Sequence, residues 1–288
     1  MTVDKIAQKI AQKIAQDFVH ARRGATALPD YPGTVPASLD ESYAIQDRAI
    51  ALWDKPVVGW KIGRLAPDKH AEHGTERLAG PVFAPMLKTY GGEALNLPVF
   101  GGGFAAVEAE FVFRIDHDAD PDKLSYSEEE ALRLVDAVFA GVEMAGSPLP
   151  TINSLGPTVT ASDFGNNFGL ILGEKLAGFD SDVTTDALSP EVLKAFTTRT
   201  EIDGKLAGEG GLFSIPGGPL KAIAWLAGHL AGRGRPLRKG QLISSGATTG
   251  IHQVSDGQSA IVTFGGPHGG TVIQLRTVPL VTDAPELD

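Results

Sequence analysis

Two glutamates separated by a single residue mark the apolar run AVEAEFVFRI at 106–115. Successive side chains of an extended strand point to opposite faces, so Glu108 and Glu110 share one face while their apolar neighbours pack on the other. Carboxylates that close repel each other, and their burial is unfavourable unless they share a proton or a cation. Carboxylate oxygens suit Mg²⁺, Mn²⁺ or Ca²⁺. A solvated strand face that carries two glutamates is the alternative interpretation of this pattern.

A third acid, Glu143, lies in apolar surroundings near the end of the segment DAVFAGVEMAGSPL at 136–149. An unpaired carboxylate is poorly tolerated in such a place, which makes Glu143 the natural third ligand. Asp136 is an alternative, although its position fits a surface acid of a helix better. The sequence therefore predicts a divalent-metal site of Glu108, Glu110 and Glu143.

Basic and titratable residues near a second strand-like run, VVGWKIG at 57–63, add possible chemistry. Lys61 lies within that run, where a lysine either extends to the surface or neutralises a charge inside. His70 and His73 follow in a polar loop that could close over a site and activate water. Their spacing does not match a zinc motif, and solvated loop histidines are the simpler interpretation, so their role stays open.

The elements that must position these residues divide the chain into two predicted parts. A threefold KIAQ repeat places Ile6, Ile10 and Ile14 on one helical stripe, and SLDE at 38–41 predicts a second helix that begins near Ser38. These helices form a predicted N-terminal helical segment over residues 1–56.

A β-rich catalytic domain is predicted over residues 57–288. Short β-like runs separated by glycine and proline indicate strands there, and two helices are predicted over 127–145 and 219–234. Strands with long helix-bearing connections favour an α+β fold, in which a β-rich mixed sheet rolls around a core and helices lie at its periphery.

Composition excludes several classes of function. The net charge is −10 and the basic residues are scattered, which argues against nucleic acid as a partner. The chain has no cysteine, so disulfides, thiolate nucleophiles and cysteine-ligated metals are excluded. No run has the apolar length of a membrane span, and the first residues lack the pattern of a signal peptide. We therefore expect a cytoplasmic protein without a membrane partner.

Several motifs, in this order and at these spacings, resemble the fumarylacetoacetate hydrolase superfamily, and above all its branch of 2-keto-4-pentenoate hydratases and 4-oxalocrotonate decarboxylases. They are GWKIG at 59–63, ASDFGNNFGLILG at 161–173, the segment 224–250 and FGGPHGGTVIQL at 264–275, together with the three glutamates. The resemblance covers nearly the whole chain from about Ser38. It implies a β-rich roll with helices outside, Mg²⁺ or Mn²⁺ on the three glutamates, and a homo-oligomer.

The resemblance also implies roles for single residues. Lys61 matches the family's lysine after an aromatic residue, and we expect it to bind or protonate the carboxylate–enol end of the substrate. Asp163 matches the first residue of the family's Asp-Asn pair and is predicted as a catalytic acid that acts by hydrogen bonding, with a turn-forming aspartate as the alternative. Thr249, in a glycine-rich turn, is predicted to contact the substrate carboxylate, although ordinary turn chemistry explains it too.

The chain departs from the family pattern in three motifs. Phe164 stands where the family has asparagine, Ala247 stands where it has serine, and Arg64-Leu65 replaces a Leu-Thr pair that often follows in hydratases. Arg64 is a candidate substrate-binding residue. These departures leave the predicted metal chemistry intact and leave the substrate open.

The predicted function is that of a metal-dependent lyase, which hydrates a 2-hydroxy-2,4-dienoate of the 2-keto-4-pentenoate type to a 4-hydroxy-2-oxo acid. The expected partner is a small 2-oxo or 2-hydroxy acid, whose two oxygens chelate the cation. A 4-oxalocrotonate-type decarboxylase and an acylpyruvate-type C–C hydrolase are the alternatives, and a binding protein without turnover is a further one. A decarboxylase of this type needs a basic residue at the far end of its substrate. Arg64 is three residues beyond Lys61 and is predicted on the opposite strand face, which favours the hydratase.

Overall fold

The computed structural model describes residues 3–180 and 182–282 of the chain. Residues 1, 2, 181 and 283–288, which the sequence analysis assigned to its two parts, lie outside the described residues. The helices are α1 (Val3–Arg23), α2 (Leu39–Trp53), α3 (His70–His73), α4 (Glu128–Arg133), α5 (Pro157–Ser162), α6 (Pro190–Leu193) and α7 (Gly218–Gly232). No helix within these ranges is long and apolar enough to cross a membrane.

Thirteen strands occur in the described ranges, and two of them contain the predicted runs at 57–63 and 106–115. They are β1 (Val57–Arg64), β2 (Arg77–Phe83), β3 (Leu87–Thr89), β4 (Leu95–Val99), β5 (Phe104–Ile115), β6 (Val135–Ser147), β7 (Asn167–Gly178), β8 (Thr197–Ile202), β9 (Lys205–Gly211), β10 (Leu242–Ser244), β11 (His252–Gln253), β12 (Ser259–Gly266) and β13 (Gly269–Pro279).

Two mixed sheets form the body of the protein. One has the order β2-β1-β10-β5-β6-β7-β3, with β11 paired to β5, and the other has the order β4-β13-β12-β8-β9. Parallel pairs (β1 with β10, β3 with β7) occur beside antiparallel ones in the first sheet. The predicted α+β architecture with a mixed, β-rich body is confirmed.

The predicted helix over 127–145 is wrong beyond its first turns. The capping box of Ser127 and Glu130 is present as predicted, but the helix ends at Arg133 and residues 135–147 form strand β6. This strand is buried between β5 and β7, so its apolar run lacks the alternation that distinguishes an exposed strand from a buried helix. Asp136 therefore lies on a strand, where both its oxygens accept hydrogen bonds from Arg114.

The N-terminal helices pack onto the same core as the sheets. Ser38 caps α2 as predicted, and its side chain accepts a hydrogen bond from the backbone of Glu41. In α1 only the last isoleucine of the predicted stripe is buried: Ile14 is 1% exposed, while Ile6 and Ile10 are 47% and 44% exposed. Because α1 contributes to the common core, the division at residue 56 stays a prediction.

Candidate metal centre

The three predicted ligands meet on the central strands of the larger sheet. Glu108 and Glu110 lie on β5, and Glu143 lies on the neighbouring β6 directly opposite Glu108 in register. One carboxylate oxygen from each residue lies within 4.8 Å of the others, and all three residues are buried. Alternation along β5 puts the first two on one face, and antiparallel pairing adds the third.

Several hydrogen bonds hold these carboxylates in place. Glu110 Oε2 accepts from Ser244 Oγ at 2.6 Å and from the Gly246 backbone at 2.8 Å, both at the end of β10. Glu143 Oε1 accepts from Asn167 Nδ2 at 3.0 Å. The second oxygens, Glu110 Oε1 and Glu143 Oε2, are buried and have no hydrogen-bond partner among the described residues. Each of these two residues therefore has one fixed oxygen and one available oxygen.

The three buried carboxylates of the cluster would carry more negative charge, if all were ionised, than their buried position tolerates. Burial, with the nearby Glu143 charge, raises the pKa of Glu108 to about 8. Burial and both neighbouring carboxylates raise the pKa of Glu110 well above its usual range. Lys61 Nζ lies 3.2 Å from Glu143 Oε1; burial by itself lowers the pKa of Lys61, but the three carboxylates outweigh it and raise that pKa above its ordinary value.

This donor set fits a hard divalent cation. The available oxygens of Glu110 and Glu143 and the carboxylate of Glu108 are the ligand type that such ions prefer. Lys61 supplies one positive charge against three carboxylates, so further positive charge is needed for all three to be ionised in this buried place. The residues present can therefore hold the ion that the sequence predicted.

A cavity of about 570 Å³ opens from the cluster to the surface. Lys61 and Glu108 line it, together with residues from the segments 62–69, 153–166, 214–216 and 245–251. Two lining residues that the sequence analysis missed carry buried atoms with no hydrogen-bond partner in the described ranges, namely Asn166 Oδ1 and Ser245 Oγ. They lie two residues from the positions where the family's asparagine and serine are replaced. A search of the residues next to these replacements could have identified them from the sequence.

Asp163 is buried beside the site, and both its oxygens are engaged. Arg22 Nε donates to Oδ1, and Ser147 Oγ donates to Oδ2 at 2.6 Å. Asp163 is not among the residues that line the cavity, so its geometry is that of a side chain that positions its neighbours. Its predicted catalytic role stays a prediction.

The other predicted residues divide between the cavity and its surroundings. Thr249 Oγ1 lies within hydrogen-bond distance of Thr200 Oγ1, at 2.9 Å, and of His252 Nε2, at 3.0 Å, and Thr249 is not among the residues that line the cavity. Arg64 does line the cavity, together with Lys61, because the cavity extends past the end of β1. Arg64 therefore shares the cavity with Lys61, although the two residues are predicted on opposite strand faces.

The histidine-bearing loop contributes its other polar residues to the cavity. Asp68 and Lys69 line the cavity, while His70 and His73 do not. His70 Nε2 lies 2.9 Å from the Leu65 carbonyl, which gives this side chain a structural contact. The loop contributes charge to the cavity, but through neighbours of the predicted histidines.

The backbone beside Asp163 bears directly on one departure from the family pattern, that at Phe164. Phe164 has φ 53°, in the left-handed region, where asparagine is favoured and a bulky side chain is strained. The phenyl ring packs edge-on against Trp53 and Phe83 and lies under the Arg22 guanidinium. Aromatic packing thus offsets the strain of this substitution.

Known proteins with similar sequences are hydratases of the predicted branch. The chain is 28% identical over 253 residues to a TodF product hydratase of Pseudomonas putida F1, which covers 85% of this chain and 87% of the relative. It is 28% identical over 215 residues to a 2-keto-4-pentenoate hydratase of Paraburkholderia xenovorans LB400, with 73% and 74% covered. No protein-family model matches the chain.

Solved structures share the fold. The 4-oxalocrotonate decarboxylase of Pseudomonas putida G7, complexed with calcium and acetate, superposes with a TM-score of 0.71 at 20% identity, covering 94% of this chain and 98% of that one. The same enzyme has been solved with magnesium and adipate. The resemblance drawn from the sequence is confirmed by these relatives, and the predicted type of fold is confirmed by these structures.

Proposed function

We propose that this protein is a divalent-metal-dependent hydro-lyase that adds water to a 2-hydroxy-2,4-dienoate of the 2-keto-4-pentenoate type and yields a 4-hydroxy-2-oxo acid. One observation carries the proposal: three buried carboxylates converge within 4.8 Å beside Lys61, at the inner end of a cavity of about 570 Å³. A cavity of this size suits a small acid. The hydratases at 28% identity support the choice of reaction.

The metal would be held by Glu108, Glu110 and Glu143, and when bound it supplies Lewis acidity to the C1 carboxylate and C2 oxygen of the substrate. Lys61, whose pKa is held above its ordinary value, remains an ammonium and donates hydrogen bonds to the same end of the substrate. Asn167 fixes one oxygen of Glu143, and Ser244 fixes one oxygen of Glu110. These contacts keep the remaining oxygens oriented towards one point.

Hydration also needs a place for the attacking water. In this reaction the dienol takes a proton at C5 to form an α,β-unsaturated ketone, and water then adds at C4. Asn166 and Ser245 line the cavity, and their buried atoms Asn166 Oδ1 and Ser245 Oγ, which have no hydrogen-bond partner among the described residues, are of the type that accepts hydrogen bonds from a water molecule. We assign the orientation of that water to these two residues.

Three narrower statements belong to the same proposal. The metal in the cell is Mg²⁺ or Mn²⁺, which the all-oxygen donor set supports. The protein is a homo-oligomer, which the exposed Ile6 and Ile10 of α1 support. It works in the cytoplasm, which cell fractionation tests.

The experiment supplies the purified, Mg²⁺-loaded protein separately with 2-hydroxypenta-2,4-dienoate and with 4-oxalocrotonate. We expect a 4-hydroxy-2-oxo acid from the first and loss of that activity after exhaustive chelation, with metal content checked by elemental analysis. Release of CO₂ from the second without hydration of the first would replace the hydratase with the decarboxylase. Full activity without metal would remove the role of the three glutamates.

A further inference from the structure

Two arginines face each other where the cavity opens to solvent. Arg64 ends β1 and Arg77 begins β2, and the two are directly opposite in the antiparallel register. Both line the same cavity as Lys61 and Glu108. Arg64 is exposed, whereas Arg77 is only 6% exposed, so the pair extends from the surface into the wall.

Like charges directly opposite on neighbouring strands repel each other. Burial lowers the pKa of Arg77, the neighbouring Glu76 opposes this effect, and repulsion from the charge of Arg64 lowers that pKa further. Within the described ranges, Arg64 forms no ion pair. Arg77 donates to the Pro216 carbonyl at 2.6 Å and pairs with the half-exposed Glu76 at 3.3 Å, which engages two of its five N–H donors.

The other charged residues at this end of the cavity do not neutralise the positive charge of Arg64 and Arg77. Lys69 lines the cavity but donates to Glu72 at 2.9 Å, and Asp68 is the one acid of the cavity lining at this end. The inner end of the cavity has the opposite charge: there three carboxylates lie together, and a bound cation would reduce the repulsion between them. At the outer end two arginines lie together, and a bound anion would reduce the repulsion between them.

The separation of the two ends fits one small molecule. Lys61 and Arg64 are three residues apart on an extended strand, which places their backbones roughly 10 Å apart. A five- to seven-carbon diacid spans roughly 5–8 Å between its terminal carboxylates. Arginine side chains reach several ångströms further and pair with carboxylates through two parallel hydrogen bonds.

We propose that Arg64 and Arg77 form an anion subsite that binds a second carboxylate at the far end of the substrate. The substrate class is then a 2-hydroxy-2,4-dienoate that carries an acidic group at its distal carbon. This inference rests on the proposed function, because it takes the inner end of the substrate to be held at the glutamate cluster.

A binding experiment tests the subsite without turnover. Calorimetry on the Mg²⁺-loaded protein compares 2-oxoglutarate with 2-oxopentanoate, which has the same carbon number and lacks the second carboxylate. We expect tighter binding of 2-oxoglutarate by about tenfold, the equivalent of one modest charge-assisted contact. In Arg64→Met the ratio of the two affinities falls towards one, and in Arg64→Glu it inverts.

Matched variants and a second measurement keep the outcomes separate. Arg238→Met removes an arginine that pairs with Asp118 away from the cavity, and it keeps the preference if the effect is local. Arg77→Lys, which keeps the charge of a buried position, retains part of the preference. A preference that is absent in the parent, or equal in Arg64→Met and Arg238→Met, overturns the subsite.

Hydration assays then separate this inference from the proposed function. The substrates are 2-hydroxyhepta-2,4-dienoate and the corresponding dienedioate, which differ only at the far end. Hydration of both at equal rates overturns the subsite and leaves the hydratase intact. Hydration of neither, with an Arg64-dependent preference in calorimetry, overturns the hydratase and supports the subsite.

Discussion

Two groups of buried acids lie side by side in this protein and are satisfied in opposite ways. Asp163 is 1% exposed, and both its oxygens are bound by Arg22 and Ser147. Glu110 and Glu143 are fully buried, and each leaves one oxygen without a partner among the described residues. The same kind of side chain is therefore neutralised by the fold in one place and left incomplete in the other.

Arg22, the partner of Asp163, has hydrogen-bond acceptors on several sides. Its guanidinium, 2% exposed, also donates to the carbonyls of Gly146 at 2.9 Å and Asn167 at 3.1 Å. These contacts join α1 to β6 and to the start of β7, and β6 carries Glu143. A buried charge with all its partners present contributes to folding, whereas a buried cluster that lacks charge compensation marks a site for a ligand.

Arg22→Met gives the largest expected effect. The substitution leaves Asp163 buried without its cation, so the free energy of unfolding falls by about 3–5 kcal/mol. Urea unfolding of the metal-free protein measures it. In the double variant Arg22→Met with Asp163→Asn, part of the loss is recovered, since no unpaired charge remains. A loss below about 1 kcal/mol in the single variant would show that the pair of Arg22 and Asp163 does not stabilise the fold as a buried ion pair.

Lys61→Met is the matched change at the incomplete cluster, and it separates turnover from folding. Methionine keeps the apolar stem and removes the charge and the donors, so we expect kcat to fall by about 10²–10⁴. The fold is retained, because Glu108 and Glu110, whose pKa values are already raised, take up protons when the ammonium is lost. Kinetics and urea unfolding are measured on the same samples. Unchanged kinetics would make Lys61 a structural counter-charge like Arg22.

Glu110→Gln reduces metal affinity without unfolding the protein. The amide supplies a poorer oxygen to a hard ion, and the loss reaches at least the roughly 100-fold that removal of a supporting residue can cause. In the absence of metal the variant is as stable as the parent, because the pKa of Glu110 is raised well above its usual range and a neutral amide, whose oxygen can still accept from Ser244, replaces it. Titration with Mn²⁺ by electron paramagnetic resonance measures the affinity. Parental affinity in the variant would exclude Glu110 as a ligand.

The smallest expected effect is a pH dependence of the metal-free protein. The folded-state pKa of Glu108, about 8, lies above its ordinary value of 4.5, so the folded state binds the extra proton between these values. The free energy of unfolding therefore falls as pH rises from about 4.5 to about 8. Urea unfolding across this range measures it, and Glu108→Gln flattens the slope. A stability that rises over the same interval contradicts the assignment.

Part of the site followed from local sequence alone. The E-x-E spacing requires Glu108 and Glu110 to share a strand face, whatever the rest of the chain does. Glu143 is buried, as its apolar surroundings predicted, although its element was misassigned, since burial of an acid is unfavourable in a helix and in a strand alike. The caps of α2 and α4 were also predictable, because a capping side chain bonds within three residues.

Other features depended on partners far away in the chain. Arg22 and Asp163 are 141 residues apart, and nothing local to either predicts their contact. Asn166 and Ser245 became cavity residues because separate loops converge on one opening. Thr249 was chosen by resemblance and Arg64 at a departure from the family pattern, and only Arg64 lines the cavity.

The sequence by itself determined which residues share a strand face, where helices begin, and which acids could not be buried without a counter-charge. Each of these depends on the backbone period and on solvation, which act over a few residues. The tertiary structure decided whether residues 135–147 form a strand or a helix, because pairing with β5 and β7 outweighs local preference in a run buried on both faces. It also decided which buried charges are paired and which remain available to a ligand, because those pairs join segments that only the folded chain brings together.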